Sequence, residues 1–196
     1  MRLVLIAALG GVFLAGSALA EGTLAESTGD RAAGRKLAGQ CRTCHGLDGM
    51  ARIPIAPHIG GEPAEYLVHQ LAAFRDGRRE HEMMSIVAKS LSDQQILDLA
   101  AWYAGHHVTA ELTADPAAAP EACMACHGVD GLAQMPDAPN LAGETNIYID
   151  TQLKAFRIGK REHEIMTPVA EALSDAEIRA FADWYAGVRI RIEMVE

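Results

Sequence analysis

Apolar residues recur at helical spacing through this chain. Tyr66, Leu67, Leu71 and Phe74, with Gln70 among them, predict a helix opened by Glu62-Pro63 and stopped by Gly77. Ile96, Leu99, Ala100 and Tyr103 mark the buried face of another, begun by Ser92-Asp93-Gln94-Gln95, which fits the S-x-x-E/Q capping box. Ile178, Phe181, Ala182 and Tyr185 repeat that face behind Ser174-Asp175-Ala176-Glu177. A further helix is expected from about Asp30 into Cys41. The stretch from Gly46 to Gly61 carries Pro54 and Pro57 and reads as irregular. Only Val188 to Ile192 alternates like a strand, and a frayed terminus is the default for such a tail. The pattern predicts an all-α protein.

That pattern occurs twice. An offset of 82 residues carries Cys41 to Cys123, Pro57 to Pro139, Tyr66 to Tyr148, Phe74 to Phe156, Met84 to Met166 and Trp102 to Trp184. No gap is needed up to Gly105 and Gly187. The expected division is a leader at 1–20, a first domain at 21–106, a linker at 107–119 and a second domain at 120–196. The linker holds Ala110 to Pro116, polar and proline-containing, and His106-His107 just before it reads as an exposed pair. Domains of about 80 residues are marginal alone, so a large buried group in each would explain how they fold.

The leader has Arg2, an apolar run from Leu3 to Ala15, and Ala18-Leu19-Ala20 as an A-x-A cleavage site. The run is too short for a confident membrane span, so a cleaved export signal is favoured over an uncleaved anchor.

Candidate chemistry lies in two pentapeptides, Cys41-Arg42-Thr43-Cys44-His45 and Cys123-Met124-Ala125-Cys126-His127, which use all four cysteines. Cys-x-x-Cys-His is the attachment signature of c-type haem. Cysteines three apart share a helical face, so each pair can hold the two vinyl-derived carbons of one porphyrin while the histidine turns to its iron. Two disulfides would leave both histidines without a role. A four-cysteine zinc site would have to span the long gap from Cys44 to Cys123. A thioredoxin-like pair lacks its βαβ context. The expected cofactors are two covalently attached haem c groups, each with iron. Haem attachment outside the bacterial cytoplasm agrees with export, so the expected location is the periplasm.

His45 and His127 each leave the opposite face of an iron for a second ligand. A ligand needed in both halves should recur at the offset, and among methionines only Met84/Met166 does so. Met/His ligation suits electron transfer. His81/His163 also recurs and competes, although each sits in a polar Arg-Glu-His-Glu stretch. Core filling by the methionines would leave both irons vacant.

Cys-x-x-Cys-His-Gly, Ala56-Pro57 with Gly60-Gly61, Tyr66-Leu67, Gln70-Leu71, Ala73-Phe74-Arg75, Met84, Leu91-Ser92-Asp93 and Trp102-Tyr103 follow in order. Ala138-Pro139-Asn140-Leu141-Ala142-Gly143, Gln152-Leu153-Lys154-Ala155-Phe156-Arg157 and Met166 form the second copy. The mature chain resembles dihaem cytochromes of the cytochrome c4 type. The resemblance implies two class I cytochrome c folds related by a pseudo-twofold axis, with the haems facing each other. It implies Met84 and Met166 as sixth ligands, and Pro57 and Pro139 as residues whose carbonyls orient the proximal histidines. The chain departs from the family in the short, proline-broken segment from Asp115 to Ala122 and in the tail after Gly187.

The formal net charge is −9, and removal of Arg2 with the leader makes it −10. This excludes a nucleic-acid binder of the basic-stripe kind and disfavours anionic membranes except through a partner complex. It suits steering toward a basic docking patch. Arg75, Arg78 and Arg79, with Arg157, Lys160 and Arg161, form the main basic clusters; contact with haem propionates and plain solvation are both open for them. The expected function is single-electron transfer, not catalysis, from a quinol-oxidising complex or dehydrogenase to a haem-copper terminal oxidase or another reductase. A dihaem cytochrome subunit of a flavoprotein sulfide dehydrogenase is the alternative, and a dihaem redox enzyme is a third.

Overall fold

Asp30 accepts the backbone N–H groups of Ala32 and Ala33 through its carboxylate and starts helix α1, Arg31–Leu37. A 3-10 turn at Ala38–Gln40 leads into the one-turn α2, Arg42–His45. After the irregular loop come α3 (Ala64–Asp76), α4 (Met84–Lys89) and α5 (Asp93–Ala104). Strand β1 (His107–Glu111) follows, then α6 (Glu121–His127), α7 (Asn146–Arg157), α8 (Met166–Ala172), α9 (Asp175–Ala186) and strand β2 (Arg189–Glu193). This computed structural model describes residues 28–195. The expected leader and its cleavage site therefore lie outside the described residues.

Both capping boxes are present at the starts of α5 and α9. Gln95 and Glu177 donate their backbone N–H to Ser92 and Ser174, and their side chains accept from the serine backbone. Gly77 ends α3 in the left-handed conformation. Two separate cores form, one around Leu67, Leu99, Ala100, Trp102 and Tyr103, the other around Ile149, Ala182, Trp184 and Tyr185. The halves differ at the entry to the haem motif. In the first, α1 packs on α5. In the second, a 3-10 turn at Pro116–Ala118 takes that place, and Trp184 donates its indole N–H to the Asp115 carbonyl at 3.0 Å.

The tail is not frayed, and part of the expected linker is not a loop. Val188 to Ile192 belongs largely to β2, which pairs antiparallel with β1, His107 opposite Glu193 and Glu111 opposite Arg189. At the centre Thr109 faces Arg191, and these two residues are partners in the internal repeat. The local twofold axis therefore passes through the middle of the sheet. It also passes between Arg79 and Arg161, which form an isolated antiparallel bridge. β2 alternates strictly while β1 does so less clearly; the ladder forms because the repeat brings two copies of one segment together. Its inner face packs on glycine: an added Cβ at Gly61 would lie 2.6 Å from the Val108 Cβ, and one at Gly143 2.5 Å from Ile190 Cγ2. Both glycines also hold positive φ, +74° and +68°.

His106, expected in an exposed pair, is buried. Its ring meets Trp102 edge-on with centroids 4.7 Å apart, and Nδ1 accepts the Val195 N–H at 3.4 Å. The ordered tail covers it. Ile190→Lys should therefore destabilise the fold by about 1–3 kcal/mol, as expected for losing a packed apolar side chain and placing a charge against a sealed face. Urea unfolding of the haem-loaded protein measures this, and a change within about 0.5 kcal/mol would mean that the strand does not staple the two halves.

Candidate functional site

In α2 the His45 N–H bonds the Cys41 carbonyl at 3.0 Å, so both cysteines and the histidine share one turn. The four cysteines are half-buried and none is paired in a disulfide, so each attachment turn offers two sulfurs to one porphyrin. Among the described residues no three or more His, Cys, Asp or Glu side chains are grouped so as to hold a metal ion. His45 and His127 are buried, 7% and 5% exposed. Their Nδ1 atoms lie 2.9 Å from the Pro57 carbonyl and 2.8 Å from the Pro139 carbonyl. A carbonyl only accepts, so Nδ1 carries the proton and Nε2 presents its lone pair. Burial also holds both imidazoles below their usual range, favouring the neutral ring that binds iron.

A single cavity of about 840 Å³ is lined by Cys41, Cys44, His45 and Met84 from the first half and by Cys123, Cys126, His127 and Met166 from the second. Met84 and Met166 begin α4 and α8. His81 and His163 line the same cavity, but their Nδ1 atoms are engaged by the backbone. His81 accepts from Met83 and Met84 at 3.2 and 3.4 Å, and His163 accepts from Ile165 and Met166 at 3.2 Å each. They cap the turns that carry the methionines.

Side chains the sequence analysis did not single out as a site join the two halves beside the cavity. Glu62 accepts the Asn140 N–H at 2.8 Å, and Glu144 accepts the His58 N–H at 2.6 Å. Asn140 donates its amide to the Gly61 carbonyl, and the His58 ring Nε2 donates to the Gly143 carbonyl, both at 3.0 Å. His58 and Asn140 are repeat partners playing one role: Nδ1 of the first accepts from Ala51 and Oδ1 of the second from Ala133. The basic clusters divide. Arg75 and Arg157 pair on the surface with Asp93 and Asp175, whereas Arg79 and Arg161 are buried at the interface. Recurrence of Glu62 and Arg79 at Glu144 and Arg161 was the available signal; identical spacing does not say which repeats face each other.

Burial pushes the Glu144 carboxyl up to about 8 and Glu62 well above the carboxylate range. For such a group the folded state holds the proton that the unfolded state has lost. Stability therefore falls as pH rises from about 4.5 to about 8 and levels off beyond. His58, pushed down by burial, acts oppositely: it removes stability as pH falls below its unfolded value of about 6.5. Glu144→Gln is expected to flatten the fall between about pH 5 and 8, read as the urea midpoint across pH. A midpoint profile parallel to wild type would show that Glu144 is ionised throughout.

The cavity fits two flat, apolar macrocycles with anionic edges. Each attachment turn faces it, apolar side chains dominate its walls, and two buried guanidinium groups reach it. A helical pair of domains with such turns defines a two-domain c-type cytochrome. The comparisons agree. Residues 29–102 match the family model "Cytochrome C oxidase, cbb3-type, subunit III", and residues 116–186 match "Cytochrome c". Cytochrome c4 of Thiocapsa roseopersicina is 36% identical, covering 76% of this chain and 88% of its own. A "Thiosulfate dehydrogenase electron acceptor" of Thiomonas intermedia is 33% identical over 94% of this chain and 90% of its own. The crystal structure of reduced recombinant cytochrome c4 from Pseudomonas stutzeri superposes with a TM-score of 0.73 at 29% identity, covering 83% of this chain and all of that one. The chain belongs to the dihaem cytochrome c4 family. It is an electron-transfer protein carrying two covalent haem c groups, at Cys41/Cys44 and Cys123/Cys126. Haem iron supplies the one-electron redox change; the protein's part is to bind, orient and shield it.

Proposed function

We propose that this protein is a periplasmic carrier that takes electrons singly from a dehydrogenase and passes them to a terminal oxidase or another reductase. His45 and Met84 would ligate one iron, His127 and Met166 the other, with Pro57 and Pro139 fixing the proximal rings. The domains would divide near 21–106 and 120–196, with 107–119 between them. The observation that carries the reading is the cavity, whose lining includes His45 and Met84 from one half and His127 and Met166 from the other. The name of the Thiomonas relative favours a sulfur-compound dehydrogenase as donor; a quinol-oxidising complex is the other source to compare. Met ligation and burial would set each potential high enough for a carrier. Near-infrared magnetic circular dichroism of the oxidised protein tests the ligand set. Two methionine-ligated ferric haems are expected, and one or none would sink the carrier reading. A stoichiometric flavoprotein companion on native purification would instead favour a subunit of a sulfide dehydrogenase-type complex.

A further inference from the structure

Arg79 and Arg161 are each 8% exposed and sit together where the twofold axis crosses the interface. They share their acceptors in a closed ring. Arg79 donates to Gln70 Oε1 at 2.7 Å and to Gln152 Oε1 at 2.6 Å; Arg161 donates to the same two oxygens at 3.0 and 2.9 Å. Arg79 also reaches the Tyr148 hydroxyl at 3.3 Å, and Arg161 the Tyr66 hydroxyl at 3.1 Å. Each guanidinium stacks 4.4 Å from the ring centroid of the phenylalanine of its own half, Phe74 or Phe156. These bonds occupy three of the five donors on each fork.

Every acceptor in the ring is neutral. Arginine stays charged when buried, and a buried cation is costly unless an anion accompanies it. Four carboxyl side chains line the cavity, Glu62, Asp137, Glu144 and Glu164. Glu62 and Glu144 face backbone N–H groups, and Asp137 faces His69 and His163. Neither arginine has an ion pair among the described residues, whereas Arg75 and Arg157, four residues before each, do. The fold thus buries two adjacent cations against a cavity wall, and no carboxylate among the described residues pairs with them.

We propose that Arg79 and Arg161 form one cationic site, common to both halves, that receives haem carboxylates from both sides and raises the two reduction potentials together. This rests on the dihaem reading above. Because each guanidinium is held by glutamines of both halves, removing one disturbs the field at both sites.

The test is a spectroelectrochemical titration of the full, haem-loaded protein. Arg79→Gln should lower both midpoint potentials, each by at least a tenfold shift in its one-electron equilibrium, about 59 mV, and Arg161→Gln should do the same. Arg79→Lys, which keeps the charge, should restore most of the loss. Gln152→Glu covers the case in which the arginine variants fail to load haem. It keeps the ring's shape while placing an anion between both forks, and is expected to lower both potentials. A shift at one haem alone, or shifts below tenfold at both, overturns the proposal. Failure of the carrier reading would show separately, in the ligand bands of the unaltered protein.

Discussion

Replacing Cys41, Cys44, Cys123 and Cys126 with alanine is expected to leave the chain without a stable tertiary structure. The thioether bonds cannot form, and the cofactors would be held only non-covalently or lost. What remains is the cavity of about 840 Å³. At about 24 cal/mol per Å³ of unfilled volume, the cost is on the order of 20 kcal/mol, against the roughly 5–15 kcal/mol by which ordinary domains are stable. The rim carries exposed Ile55, Met83 and Ile147, so water enters part of the space and lowers the cost. Half the figure would still consume most of the margin of domains this small. Scanning calorimetry and near-ultraviolet circular dichroism decide the matter. Absence of a cooperative transition is expected; one near that of the haem-loaded protein would show that side-chain packing alone holds the fold.

Met84→Ala is expected to convert one haem, and only one, from low-spin to high-spin, and Met166→Ala the other. The affected potential should fall by a sizeable part of the roughly 0.8 V over which axial ligands range. Thioether sulfur favours the reduced iron, and alanine leaves nothing in its place. The neighbouring histidines do not substitute readily, because His81 Nδ1 is tied to the N–H groups of Met83 and Met84 and would have to break a helix cap to turn. Absorption and potentiometry of each variant check this. Unchanged spectra in Met84→Ala together with a loss in His81→Ala would transfer the ligand role to the histidine.

Much of this site is legible from local sequence. The Cys-x-x-Cys-His turns, the capping boxes at Ser92 and Ser174 and the stop at Gly77 each involve residues within about four positions, a range over which helical geometry is fixed. The sequence repeat then implies two equivalent halves and narrows the methionines to one pair. It does not say how the halves meet. Arg75 and Arg79 are both arginines on one short stretch, yet one lies on the surface with Asp93 and the other is buried against Arg161. His58 and Asn140 have no side chain in common, yet the interface gives them the same hydrogen bonds. His106 and the tail read as exposed because a strand gains its ladder only from a partner, and β1 finds its partner 82 positions away.

By itself, then, the sequence determined the helices, the duplication, the cofactor attachment points and the class of chemistry, since each depends on residues adjacent in the chain or on a constant offset. Only the tertiary structure decided which residues lie on the twofold axis, the shared cavity, the buried carboxyls and the paired arginines. Those depend on contacts between residues some 70 to 95 positions apart, where burial and electrostatics are set by which surfaces pack together.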